Sequence, residues 1–274
     1  MESETKKRKG PIIAIIILII AIIGLAGVIG YIAYDKGVFS DNKKTNQTTN
    51  SDKEVEITDR KLITDLYKKV SILNRSDDSR YPSTGRNIYK MTELTSSEKL
   101  RKVLIGSDKF SQNITEEDKK VSRDSAHLIA KASVSDIEDL YQQLFGTKIS
   151  SYNETTSTGC PSFEYNENNK VYYLYGDCSG LEGEVGLIYV NKATQKKNEA
   201  YIYVNIGTYI KDYYGSEEKN IYDDIEQKRI VDKATTDDYK IDEKNYTKFS
   251  EYKYTFTKDE NNNYYFTKIE KVNK

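Results

Sequence analysis

The chain has 274 residues, and its 42 basic and 43 acidic side chains give a formal net charge of −1. A balance this even disfavours a nucleic-acid-binding protein, which needs a basic stripe on its surface. Two cysteines and one histidine are too few for a four-ligand zinc site, and no cofactor motif is present.

Residues 12–34 contain no charged side chain and predict a transmembrane helix. At about 1.5 Å per residue the segment would span roughly 34 Å, close to the thickness of a bilayer core. It is longer than the apolar part of a cleaved signal peptide, about 7–15 residues, so an uncleaved anchor is favoured and a cleaved signal is the alternative. Basic residues occupy positions 6–9, so residues 1–11 are expected to be a cytoplasmic tail and the C-terminal part to lie outside the cell membrane.

Residues 35–56 are polar and rich in Asn, Thr, Lys and Asp. Such a segment cannot bury enough apolar surface to order itself, which predicts a flexible tether. An extracytoplasmic domain is therefore expected over residues 57–274.

The first half of this domain, residues 57–146, is predicted to be helical. Thr95 with Glu98 and Ser135 with Glu138 have the spacing of capping boxes, and Thr115 is a further candidate cap. The predicted helices are 57–73, 95–106, 116–131 and 135–145.

The second half, residues 160–274, is predicted to be mainly β, because its apolar residues alternate with polar ones. Turns are expected at 166–169 and 259–263, and the charge pattern of residues 217–230 favours one more helix. The predicted strands are 163–165, 171–175, 185–190, 200–206, 252–256 and 264–272. The fold class is therefore α+β, with helices followed by an antiparallel sheet. By layout alone, a curved sheet wrapped on helices, similar to cystatin-like or NTF2-like domains, is one arrangement.

Cys160 and Cys178 lie at equal distances from Asn169, in the predicted turn at 166–169. Residues equidistant from a hairpin turn face each other, and a domain outside the membrane permits oxidation. We therefore predict a structural disulfide between them, with two free thiols as the alternative.

His127 is the only histidine, and it is placed on the helix predicted over 116–131. A Ser-His-Asp or Cys-His nucleophile would have to use it, but no nucleophile motif accompanies it. A structural role is therefore favoured, and no catalytic residue is predicted.

Asp259, Asn261, Asn263 and Glu270 fall at positions 1, 3, 5 and 12 of an EF-hand calcium loop. Position 6 needs glycine but is Tyr264, and the flanking residues are predicted strands. A hairpin turn is therefore the favoured interpretation and calcium binding the weaker one.

Tyr201 and Tyr203 alternate with apolar residues on the predicted strand 200–206. If exposed, they would form a stacking surface for sugars such as cell-wall glycan; the alternative is that they cover the sheet. These observations favour a binding or interaction module at the cell envelope, with a protein or glycan partner. The alternatives are an exported carboxylate-dependent hydrolase and a structural or assembly subunit of a membrane complex.

Overall fold

The computed structural model describes residues 53–74, 94–152, 161–176, 182–212, 218–224, 227–236 and 238–272. The described residues belong to one compact unit, Thr49–Lys274. Within this part of the chain, no helix is long and apolar enough to cross a membrane. The predicted tail and membrane span, most of the tether and both cysteines lie outside the described residues.

Four helices are described, and side chains cap their first turns. Thr95 and Glu98 form the predicted capping box of the second helix, and Thr115 forms another with Asp118. Gly146 ends the last helix with a left-handed backbone at φ 70°, a conformation that favours glycine. The helices are α1 (Arg60–Leu73), α2 (Ser96–Gly106), α3 (Glu116–Val121) and α4 (Val134–Phe145).

The described strands form two antiparallel sheets. They are β1 (Val55–Glu56), β2 (Leu128–Ser133), β3 (Ser162–Asn166), β4 (Val171–Tyr175), β5 (Glu182–Lys196), β6 (Glu199–Asp212), β7 (Lys219–Tyr222), β8 (Ile230–Ala234), β9 (Ser250–Lys258) and β10 (Tyr264–Lys271). The small sheet has the order β2-β4-β3. In the large, seven-stranded sheet, β1, β5 and β6 are neighbours, and the other side of β6 pairs with β9 along its first part and with β7 further on. The domain is therefore α+β with antiparallel sheets.

Both predicted hairpins are confirmed. β3 and β4 flank the turn at 166–169, and β9 and β10 flank the turn at 259–263. The strand predicted over 200–206 forms the first part of β6, and the strand predicted over 185–190 lies within β5.

Three helix predictions need correction. The helix expected over 116–131 ends at Val121, and 128–133 form β2, which pairs with β4. The helix expected over 217–230 is absent from the described residues there, which contain β7 and the start of β8. The last helix begins at Val134, because Ser133 rather than Ser135 accepts the capping hydrogen bond. In each case pairing or capping partners outside the predicted segment decide the conformation.

The main core lies between the helices and one face of the large sheet. Ala200, Ile202, Val204 and Ile206 of β6 belong to this core, together with buried residues of α1, α2 and α4. A smaller buried cluster contains Leu187 of β5 and Tyr209 of β6. Side chains alternate between the two faces along a strand, and these two residues alternate with the core residues, so they lie on the other face of the sheet. The remaining members of this cluster are Ile221, Ile241 and Phe249.

Candidate functional site

Tyr201 and Tyr203 lie on the face of the large sheet opposite the helices. Only 5% and 7% of their surfaces are exposed. The Lys253 ammonium lies 4.9 Å from the centroid of the Tyr201 ring, and that of Lys192 lies 4.2 Å from the centroid of the Tyr203 ring. The expectation of an exposed stacking surface is therefore wrong, because cation–π contacts occupy the ring faces that a sugar would need.

Carboxylates bind the hydroxyl groups of the same two tyrosines. Tyr201 donates to Glu199 at 2.5 Å, and Tyr203 donates to Glu54 at 2.9 Å. Burial, together with these carboxylates, raises the pKa of both tyrosines. Glu54 also accepts from the Thr194 hydroxyl at 2.9 Å, so it holds the start of β1 against β5. The part of this face around Tyr201 and Tyr203 thus carries paired polar groups.

The four calcium candidates do not converge. The Asp259 carboxylate accepts backbone N–H groups of Asn261 and Asn263 at 2.9 and 2.8 Å, which closes the hairpin turn. Glu270 lies six residues into β10, about 20 Å along the strand at 3.3 Å per residue, and pairs with Lys268 at 2.9 Å. Among the described residues, no group of three or more His, Cys, Asp or Glu side chains is placed to hold a metal ion.

His127 lies in a turn before β2, not on a helix as predicted. Its Nδ1 is 2.7 Å from Asp124 Oδ2, and about half of its side chain is exposed. The other oxygen of Asp124 accepts the backbone N–H of Ala126 at 3.1 Å. The hydrogen bond to His127 contributes to lowering the pKa of Asp124. Asp124 therefore organises this turn, in agreement with a structural role for His127.

Two buried carboxylates, Asp118 and Asp224, are each neutralised by a lysine. Lys131 contacts Asp118 at 2.6 Å, and Lys271 contacts Asp224 at 2.6 Å. Burial by itself would raise the pKa of Asp118, but hydrogen bonds from Lys131 and other donors hold it well below its ordinary 3.8. A glycosidase acid needs a raised pKa, so Asp118 has the opposite electrostatics. Sequence reasoning missed both pairs because the partners are distant along the chain.

Strand β5 lies at an edge of the described part of the large sheet. On one side it pairs with β6 along its whole length. On the other side β1 covers only Thr194 and Gln195, and the Ile57 N–H adds a bond of 3.0 Å to the Ala193 carbonyl. Among the strands that the structure describes, none pairs with residues 182–192 on this side. An edge of this kind presents unpaired backbone groups to other chains.

In an antiparallel ladder, the backbone N–H and C=O groups of successive residues point alternately toward the partner strand and away from it. This alternation identifies the groups of β5 that point away from β6. The Ala193 carbonyl points away from β6, and the bulge at Asn191 shifts the alternation by one residue. Preceding the bulge, the residues whose N–H and C=O groups point out of the sheet are Glu182, Glu184, Gly186, Ile188 and Val190.

Strand β10 is another edge of the large sheet, and β8 is a third. The ammonium group of Lys69 donates to the Tyr264 carbonyl, and helix α4 packs against β10. Among the described strands, β3, β8 and β10 are also edge strands, but the side of β5 without a strand partner is the longest, residues 182–192. The apolar run at 185–190 is a sequence signal for a strand, but only the pairing shows that this strand lies at an edge.

No protein-family profile matches this chain, and neither curated proteins nor solved structures show a significant match to it.

Proposed function

We propose that this chain is a membrane-anchored interaction module that binds an extended protein segment by strand addition at the edge of β5 that faces away from β6. The observation that carries the proposal is that no described strand pairs with the outward groups of Glu182, Glu184, Gly186, Ile188 and Val190. Strand addition obtains its affinity from main-chain hydrogen bonds, and five alternate residues of β5 offer ten outward N–H and C=O groups.

The composition of β5 favours this use. Residues 185–190 contain no charge and no proline, the two features by which proteins commonly block exposed edges. Gly186 is exposed, and a Cβ atom placed there would meet no atom within 4 Å. The edge is therefore accessible with respect to the described residues around it.

The two alternative activities receive less support. A carboxylate-dependent hydrolase needs converging acids with separated pKa values, whereas Asp118 and Asp224 are buried against lysines. A glycan platform needs bare aromatic faces, whereas lysines cover Tyr201 and Tyr203. Main-chain recognition of a protein segment requires neither feature.

The attachment to the membrane and the extracytoplasmic location are part of the proposal and rest on the sequence. The uncharged segment 12–34 is long enough to span a bilayer, and the basic residues at 6–9 favour an inside N-terminus. Protease added to intact cells should remove the domain and leave a membrane-embedded N-terminal fragment. A domain that is degraded only after cell lysis would contradict this location.

The binding edge can be tested in the full-length chain by photo-crosslinking in its own membrane. A photoreactive amino acid in place of Gly186 should give a protein adduct on irradiation. The same amino acid in place of Glu260, an exposed residue of the β9–β10 turn, is the matched control and should give none. The absence of any adduct at Gly186, or equal adducts at both positions, would contradict strand addition at β5.

A further inference from the structure

We draw no further inference here: the strongest candidate, the row of outward backbone groups along the edge strand β5 between Glu182 and Val190, belongs to the site already described, and nothing among the described residues shows what covers it.

Discussion

Replacing Lys131 with methionine removes the positive partner of a buried carboxylate while keeping most of the side-chain volume. Lys131 lies 2.6 Å from Asp118, whose side chain is 5% exposed. The substitution leaves Asp118 with its hydrogen bonds from Thr115 and from the Tyr173 hydroxyl, the latter at 3.0 Å. Asp118 joins helix α3 to β2 and β4, so the packing of the small sheet depends on it.

The expected loss of stability is about 2 kcal/mol. Removing one partner of a fully buried ion pair typically costs about 3–5 kcal/mol, because the other charge stays buried without compensation. Here the Lys131 side chain is 27% exposed and Asp118 keeps other donors, which lowers the cost. The measurement is urea unfolding of the purified full-length protein, followed by near-ultraviolet circular dichroism of the tyrosines.

Lys119→Met is the matched control. Lys119 also forms an ion pair from helix α3, at 2.8 Å from Glu116, but the two side chains are 46% and 82% exposed. Exposed pairs of this spacing contribute about 0.3–0.5 kcal/mol, so the control should lose little. Equal losses in Lys131→Met and Lys119→Met would refute the reasoning from burial.

The same pair predicts the direction of the pH dependence. The pKa of Asp118 in the folded protein lies below its ordinary 3.8, so its contribution to stability is present above that value. The contribution is lost as the pH falls through the folded pKa. Without Lys131 the folded pKa of Asp118 rises, so the difference between wild type and Lys131→Met should be largest above about pH 5 and shrink in acid. A difference that stays constant between pH 7 and pH 3 would contradict this assignment.

Two further substitutions test the packing of the large sheet. Gly207→Ala should destabilise the protein by about 1–3 kcal/mol, because its Cβ would lie 2.5 Å from the Phe249 ring, whereas Gly186→Ala on the neighbouring strand should change the melting temperature little. Glu54→Ala removes the acceptor of two hydroxyl groups and should accelerate amide exchange in β1 about fivefold, and Glu56→Ala is its control. Equal melting temperatures for the two glycine variants, or unchanged exchange in β1, would show that these contacts are not stabilising.

The local elements that were predicted correctly have short-range causes. The capping box of Thr95 and Glu98 joins residues three apart, so its spacing is visible in the sequence. The turn at Asp259 closes within five residues, and the strands on both sides alternate in polarity. Such features need no information about distant parts of the chain.

The elements that were predicted wrongly have long-range causes. Residues 128–133 form a strand because β4, about forty residues further on, supplies the ladder partner. A helix was predicted over 217–230 from acidic residues at its start and basic residues at its end, but residues 219–222 form β7, which pairs with β6 and β8. Secondary-structure propensity is weaker than the hydrogen bonds and burial that a neighbouring strand provides.

At the candidate site too, the sequence predicted what depends on neighbouring residues and missed what depends on contacts between strands. Alternation along β6 placed Tyr201 and Tyr203 on the face away from the main core, but it did not reveal that Lys253 and Lys192 cover their rings. These lysines come from the two strands that flank β6, so their positions depend on the register of the ladders.

The sequence by itself determined the α+β class, the hairpins, the helix caps at Thr95 and Thr115, and the expectation of an N-terminal membrane anchor. These follow from hydrophobic period, turn residues and charge, which act over a few neighbouring residues. Only the tertiary structure decided which strands are neighbours, which tyrosines are covered and which side of β5 has no partner among the described strands. The physical reason is that ladder hydrogen bonds join residues far apart in the chain, so a local pattern can identify β5 as a strand but cannot show that its outer side has no partner among the described strands.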